Sequence, residues 1–178
     1  MNLELRKFRQ TEYDRLATIR NSIFSDPMSS QEIKSSDDSF DTKYYRQRYS
    51  CFNLNTGEIL AFGSIGHMAW SFHPQRFVGS ILVDKAYQNR GIGQYIYEKM
   101  LELLAKLNAN ELLASAREDM PVSTRFLENR GFEEKQRISE SVLDPTKVDV
   151  SSFSGYMEKA ADTGVEVGSL SHELENDP

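Results

Sequence analysis

The run from Ile81 to Gln94, ILVDKAYQNRGIGQ, joins an apolar strand to a glycine-bearing turn and the start of a long helix. Such a junction leaves backbone N–H groups unpaired at the helix start, where the helix dipole adds partial positive charge. Phosphate is the natural ligand. Gly91 and Gly93 remove side chains that would block a close approach, Arg90 can add a charge-assisted bond, and Gln88 can brace the loop. Spacing then sorts the known phosphate loops. A nucleotide-hydrolysing loop needs Gly-Lys-Ser/Thr at the helix start, and Gly91-Ile92-Gly93-Gln94 supplies neither the lysine nor the hydroxyl. A dinucleotide fingerprint needs a third glycine where Ile96 stands, and no βαβ pattern opens the chain. The pattern that remains is Gln-x-x-Gly-x-Gly after a Val-Asp-x-x-Tyr turn.

Several elements must position this loop. Residues 3–8 alternate as a strand, and Thr11 with Asp14 resembles the capped start of a helix running to Ile23. Residues 26–41 are rich in Ser and Asp and read as loop or weak helix, with helical propensity recovering over TKYYRQRY. Two apolar runs about Asn55-Thr56-Gly57 predict an antiparallel hairpin. Pro74 breaks the strand pattern before a buried strand at 78–83. From Gly91, the residues Ile92, Ile96, Met100, Leu103, Leu104 and Leu107 keep helical spacing. A short strand at 111–116, a helix at 122–129 capped by Gly131, and two strands within FEEKQRISESVLD follow. The order is that of a mixed α/β layer rather than a repeating βαβ barrel.

Composition narrows the partners. A formal net charge of -6 gives no general attraction for nucleic acid or anionic membranes, so an anion site must be local. The single cysteine, Cys51, belongs to no metal-spaced cluster and reads as a small buried hydrophobe. The N-terminal stretch has no apolar signal core and nothing is long enough to span a membrane, which together predict a cytoplasmic protein.

Two motifs together carry a family resemblance. LVDKAYQNRGIGQYIYEKMLELL, then a short strand, then STRFLENRGFEE, resembles the GNAT superfamily of N-acetyltransferases over about residues 3–145. Gln88, Gly91 and Gly93 match its pyrophosphate loop, and Phe126, Glu128, Gly131 and Phe132 match its later helix-Gly-Phe signature. The resemblance implies a mixed, mostly antiparallel sheet flanked by helices, with strands splayed at an acyl-CoA cleft. In it, the backbone of Ile81, Leu82 and Val83 would pair with the pantetheine arm of acetyl-CoA. The amides of Asn89, Arg90, Gly91, Ile92, Gly93 and Gln94 would hold the pyrophosphate. The implied reaction is direct acetyl transfer to a primary amine of a small molecule or peptide, in a monomer or homodimer, with no nucleic-acid partner.

The sequence departs from the pattern at Met120 and Ser123, where Asn and Ala are frequent, and most consequentially at Leu127. Many members place a tyrosine acid where Leu127 stands, and leucine cannot donate a proton. A non-catalytic acyl-CoA-binding module supporting a second catalytic domain is therefore the alternative. Glu118, just after the 111–116 strand, is a candidate base, against the plainer reading of an exposed carboxylate capping the next helix. His67 is a second candidate base, against that of a satisfied core or rim histidine. His73 beside Pro74 reads as a loop residue, while Trp70, Phe72 and Phe77 are candidates for the acceptor entrance or ordinary packing. We expect an acetyltransferase domain over 1–147 and an acidic tail over 148–178. In that tail, the strand-like VEV and a helix from Ser171 echo the N-terminus, as the start of a second such module would; a flexible extension is the other reading.

Overall fold

Five strands form one sheet in the order β1-β2-β3-β4-β5. They are β1 (Leu3–Lys7), β2 (Arg46–Asn53), β3 (Ile59–Gly66), β4 (Arg76–Val83) and β5 (Glu111–Leu113). The first four run antiparallel to their neighbours, and β5 is parallel to β4. The helices are α1 (Tyr13–Ile23), α2 (Ser30–Asp38), α3 (Ile92–Lys106), α4 (Pro121–Glu128) and α5 (Tyr156–Asp162). This computed structural model describes residues 1–166 and 168–171.

Two apolar clusters cover the two faces of the sheet. On one face α3 buries Ile92, Ile96, Met100 and Leu104, the stripe its spacing predicts, against Tyr49, Cys51, Ala61, Ile65 and Phe77. At about 2 kcal/mol per fully buried side chain, that seam outweighs the few tenths per residue that helix propensity supplies. On the other face Tyr13, Leu16 and Ile19 of α1, with Ile33 of α2, pack on Phe62, and Phe8, Ile59 and Leu82 close the edges. Residues alternate between these faces along the strands, except at the register shift between Cys51 and Phe52, where Leu60 and Ala61 of β3 both join the α3 cluster.

The hairpin turn forms at Asn53, whose carbonyl accepts from the N–H of Thr56 and Gly57. Three expectations need correction. Residues 26–41 contain a true helix, α2, because Ser29 and Glu32 make a reciprocal capping box and Ile33 buries its side chain. The stretch expected to be helical at TKYYRQRY instead enters β2 at Arg46. Tyr49 and Cys51 alternate into the core there, so sheet packing overrides local propensity. Residues 132–144 form no strand: beyond Phe132 every side chain is exposed, including Ile138, Val142 and Leu143, so no apolar face supports pairing.

Chain contacts divide into two units, Met1–Glu133 and Glu134–Pro178. The first holds the sheet and α1 to α4. The second holds short 3-10 turns at Pro145–Lys147 and Val150–Phe153, then α5. The expected VEV strand includes Val167, and the expected helix from Ser171 continues through 172–178; those residues lie outside the described ones.

One buried charge ties the first helical turn to the sheet. Glu12 is 6% exposed, and its carboxylate accepts from the Ser50 hydroxyl at 2.6 Å, the Arg9 backbone N–H at 3.0 Å and the Arg6 guanidinium. Burial pushes its pKa up, but the Arg6, Ser50 and Arg9 donors together outweigh burial and hold it below the ordinary value. A carboxyl acidified by folding stabilises the protein above its unfolded pKa, and that stability is lost as pH falls through the folded value. Glu12→Gln should therefore cost about 2 kcal/mol in urea unfolding near neutral pH. The gap from the parent protein should narrow as pH drops through the carboxylate range, and a gap independent of pH would contradict this assignment.

Candidate active site

The parallel pairing of β5 to β4 covers only Arg76–Val78, against Glu111–Leu113. Beyond it, residues 79–83 of β4 have no strand partner on that side among the described residues. Antiparallel pairing with β3 decides which backbone groups are free. Asp84 donates to the Leu60 carbonyl at 2.9 Å, so by alternation Leu82 and Ser80 exchange bonds with Phe62 and Ser64. Gly79, Ile81 and Val83 then turn their N–H and C=O groups to the open edge. Of the three residues expected to pair with an extended ligand, Leu82 faces into the sheet. The Val83 carbonyl already accepts from Gln88 Nε2 at 3.1 Å, which is the bracing anticipated for that glutamine.

Between β4 and α3 the chain makes a tight turn anchored by Asp84. Its carboxylate accepts from the Ala86 N–H at 2.9 Å and from Arg15 of α1 at 2.7 Å. The Tyr87 hydroxyl donates to Glu58 at 2.8 Å, tying the turn to the hairpin. Asn89 and Gly91 then take positive φ angles of 58° and 81°. Asn tolerates the left-handed region, and Gly91 enters it without Cβ strain. No side chain caps α3, and its first turn carries no acidic residue. The first helical bond runs from Tyr95 N–H to the Gly91 carbonyl at 3.0 Å, so the amides of Ile92, Gly93 and Gln94 precede the ladder.

Gly93 serves packing as well as access. A Cβ there would lie 3.2 Å from the Phe126 ring, a tight contact, and 3.8 Å from the Val83 side chain, an ordinary one, so a side chain at 93 would press Phe126 of α4 back by a few tenths of an ångström. Arg130, which the sequence did not single out, belongs to the same place. Its guanidinium stacks 3.5 Å over Phe126, donates to the Phe126 carbonyl at 2.7 Å and reaches the Gln94 side-chain carbonyl. Its Nε is buried without a partner. With Arg90, whose guanidinium lies 5.4 Å from the Tyr87 ring centre, this gives the helix start two cations in an acidic chain.

The candidate bases lie apart along the β4–β5 seam. Glu118 is exposed in the turn that follows β5, on the side where the strands have separated. His67 sits beside Phe77, where they are still paired, packed against Tyr45, Phe72 and Phe77. Its Nδ1 accepts from the Tyr45 N–H at 3.2 Å, and its Nε2 is buried with no partner. His73 accepts from the Gln75 N–H at 3.2 Å within its loop. Burial pushes the Cys51 thiol up to about 12, which keeps it from acting as a nucleophile. Leu127 is half-buried in the last turn of α4. No cluster of metal-ligating side chains, and no helix long and apolar enough to cross a membrane, occurs among the described residues.

A cavity of about 350 Å³ opens on the α1–α2 face of the sheet, lined by Phe8, Phe40, Tyr44, Arg46, Arg48 and Ser64, with Asp37 among them. Ser64 meets Ser80 of β4 through a 2.8 Å hydroxyl contact. Ser80 lies just past the point where β5 leaves β4, so the cavity adjoins the open edge. The sequence offered one signal for it, the i, i+2 spacing of Arg46 and Arg48, which places both on one face of a strand. That signal is lost when the segment is read as helix.

No curated protein sequence matches the chain significantly. Solved structures share its fold. An N-acetyltransferase from Staphylococcus aureus Mu50 superposes with a TM-score of 0.63 at 15% identity, covering 76% of this chain and 86% of that one. The ribosomal-protein-S18-alanine N-acetyltransferase from Escherichia coli gives a TM-score of 0.60 at 18% identity, covering 76% and 80%. AAC(6')-Iy, in complex with the bisubstrate analogue CoA-S-monomethyl-acetylneamine, gives 0.61 at 11% identity, covering 81% and 99%. Residues 14–132 match the acetyltransferase (GNAT) family, whose cosubstrate is acetyl-CoA. The splayed edge of β4, the glycine loop and the uncapped start of α3 are thus those of a member of the acetyltransferase (GNAT) family.

Proposed function

We propose that this chain transfers an acetyl group from acetyl-CoA to a primary amine by direct attack of the amine on the thioester. The observation that carries this reading is the continuity of the open β4 edge with the uncapped start of α3. An extended ligand hydrogen-bonded to Ile81 would run toward the amides at 89–94, which suit a pyrophosphate. Arg90 and Arg130 add charge at the phosphate end. Gln88 keeps the Val83 carbonyl from facing the ligand unpaired.

In this reading the acceptor arrives as an ammonium ion and must lose a proton before it attacks. Glu118, on the open side of the seam, takes that proton, and His67 is the second candidate. The amine nitrogen then bonds to the thioester carbon. The developing oxyanion accepts from N–H groups on the β4 edge, which already point outward and need no reorganisation. Collapse breaks the C–S bond, the nitrogen sheds its second proton, and the CoA thiolate takes up one proton to leave as the thiol. With leucine at position 127, that last proton comes from water or from the protonated nitrogen of the tetrahedral adduct. A free thiol has a pKa of roughly 8.5, so the step is feasible near neutral pH without a dedicated acid.

Leu127 also favours a second reading, in which the domain binds acyl-CoA and leaves catalysis to another domain. Thiol release against a broad amine panel separates the two, since saturable acetyl-CoA binding without turnover would support the binding module. Three substitutions test the parts. Gly91→Glu places a carboxylate in the anion site and forces a side chain into the left-handed region. It should abolish the thermal protection given by acetyl-CoA while leaving a folded domain by circular dichroism, and retained protection would remove the phosphate-loop assignment. Glu118→Gln should lower kcat by about 100-fold with little change in acetyl-CoA affinity, and an unchanged kcat would remove Glu118 as the base. Leu127→Tyr should raise kcat if thiolate protonation limits the rate, and an unchanged rate and pH profile would place that step elsewhere.

A further inference from the structure

The cavity on the α1–α2 face has a charge pattern that the acetyl-transfer chemistry leaves unexplained. Two guanidiniums, Arg46 and Arg48, surround a single carboxylate, Asp37. Asp37 also accepts from the Tyr13 hydroxyl at 2.9 Å, so its lone pairs are committed to three donors. A ligand ammonium would find no acceptor left on it. The arginines are in the opposite condition. Each guanidinium carries five N–H donors in a fixed fork, and Asp37 takes one from Arg46 and two from Arg48. Both cations are held in place by ring contacts, Arg46 over Phe40 at 4.5 Å and Arg48 over Phe8 at 5.2 Å. Burial lowers the hold of both guanidiniums on their protons, and at Arg46 the charge of Arg48 adds to it. A second anion would relieve that repulsion.

Position connects this excess positive charge to the site of acyl transfer. Arg48 lies opposite Ser64 in the β2–β3 register, and Ser64 lies opposite Ser80 in the β3–β4 register. The three side chains therefore make one polar row across three strands, ending at the strand whose edge is open. Two inter-strand spacings separate the Cα atoms of Arg48 and Ser80, about 10 Å, and the guanidinium reaches part of the way back. A molecule with an anion at one end and an amine a few bonds away spans the remainder.

We propose that the acceptor amine carries a carboxylate, bound by Arg46 and Arg48, so that the substrate class is a small amino acid rather than a polyamine or other polycation. The inference rests on the acetyl-transfer reading above and names the acceptor for it. The planar fork of each arginine matches a carboxylate, as its existing bond to Asp37 illustrates. Phe40, Tyr44 and Phe8 supply an apolar wall for the amino acid side chain. The Ser64–Ser80 hydroxyls lie where the amine would turn toward the β4 edge.

The test uses matched amines that differ only in a carboxylate, phenylalanine with phenethylamine and leucine with isopentylamine, together with spermidine and phosphoethanolamine. Thiol release from acetyl-CoA is measured with the full chain. The carboxylated member of each pair should show a KM at least about 10-fold lower. Arg46→Gln should erase that difference by raising KM for the amino acids alone, with kcat unchanged, and Arg46→Lys should fall between the two. A preference for the decarboxylated amines or spermidine, an equal rise in KM for both members of a pair, or a stronger preference for phosphoethanolamine would each overturn the carboxylate assignment. Calorimetric titration of the same pairs into CoA-saturated protein decides the matter separately from turnover. If amino acids bind selectively through Arg46 but no amine releases thiol, the acetyl-transfer reading fails while the carboxylate site stands. If amines are acetylated without regard to a carboxylate, the reverse holds.

Discussion

Pairing between β4 and β5 stops at Val78, and the rest of the site depends on that interruption. Up to Val78 the sheet is closed on both sides of β4 and its backbone groups are satisfied within the fold. Beyond it, alternate residues of β4 present donors and acceptors outward, and buried or half-buried peptide groups demand partners. Gln88 meets that demand for the Val83 carbonyl. Among the described residues the Ile81 groups have no such internal answer, and this supports the proposed pairing with an extended ligand. The same interruption lets the chain after β5 swing away and places α4 where Phe126 can cover the start of α3.

The two faces of the sheet have different tasks and different cohesion. The α3 face is an apolar seam, and the helix it supports ends in open amides near two cations. The α1–α2 face mixes its apolar cluster with buried charge: Glu12 is satisfied by Arg6, Ser50 and the Arg9 amide, and Asp37 by Tyr13, Arg46 and Arg48. Groups of this kind contribute little net attraction once desolvation is counted, but they penalise any arrangement that leaves one member unpaired. They fix where α1 and α2 sit on the sheet, and so fix the shape of the cavity between α2 and β2.

Much of the geometry at the start of α3 could be read from the sequence because it is a property of backbone, and glycines mark backbone. Gly91 marked a turn open to close approach ahead of α3, the apolar spacing from Ile92 marked the helix, and Asn55-Thr56-Gly57 marked the hairpin. Gly93 was legible as a position that needs no side chain, although what crowds it, Phe126, lies in a later helix. Polar contacts between side chains distant in the chain left no local trace: neither Arg130 on Gln94 nor Arg48 on Asp37 follows any periodicity. The helix α2 was hidden by its polar composition, even though Ser29 and Glu32 carry the capping signal, because only Ile33 is buried on it. The two strands expected after Phe132 failed for the opposite reason, since their apolar residues find nothing to pack on.

Alternation along β4 has a consequence for how such a chain can change over generations. Ile81 and Val83 turn their side chains to the α3 cluster, while Ser80 and Leu82 turn theirs to the α1–α2 face. The backbone groups alternate in step with them. Substitution at any one of these positions alters one surface and leaves the other intact. A single inserted or deleted residue would exchange the two sets at once, sending serine into the apolar seam and turning the outward peptide groups inward. Length variation should therefore collect in the segment at 39–45, which lines the cavity, and in that at 67–75, whose Phe72 ring packs on Tyr44, while β4 drifts in residue type but keeps its length.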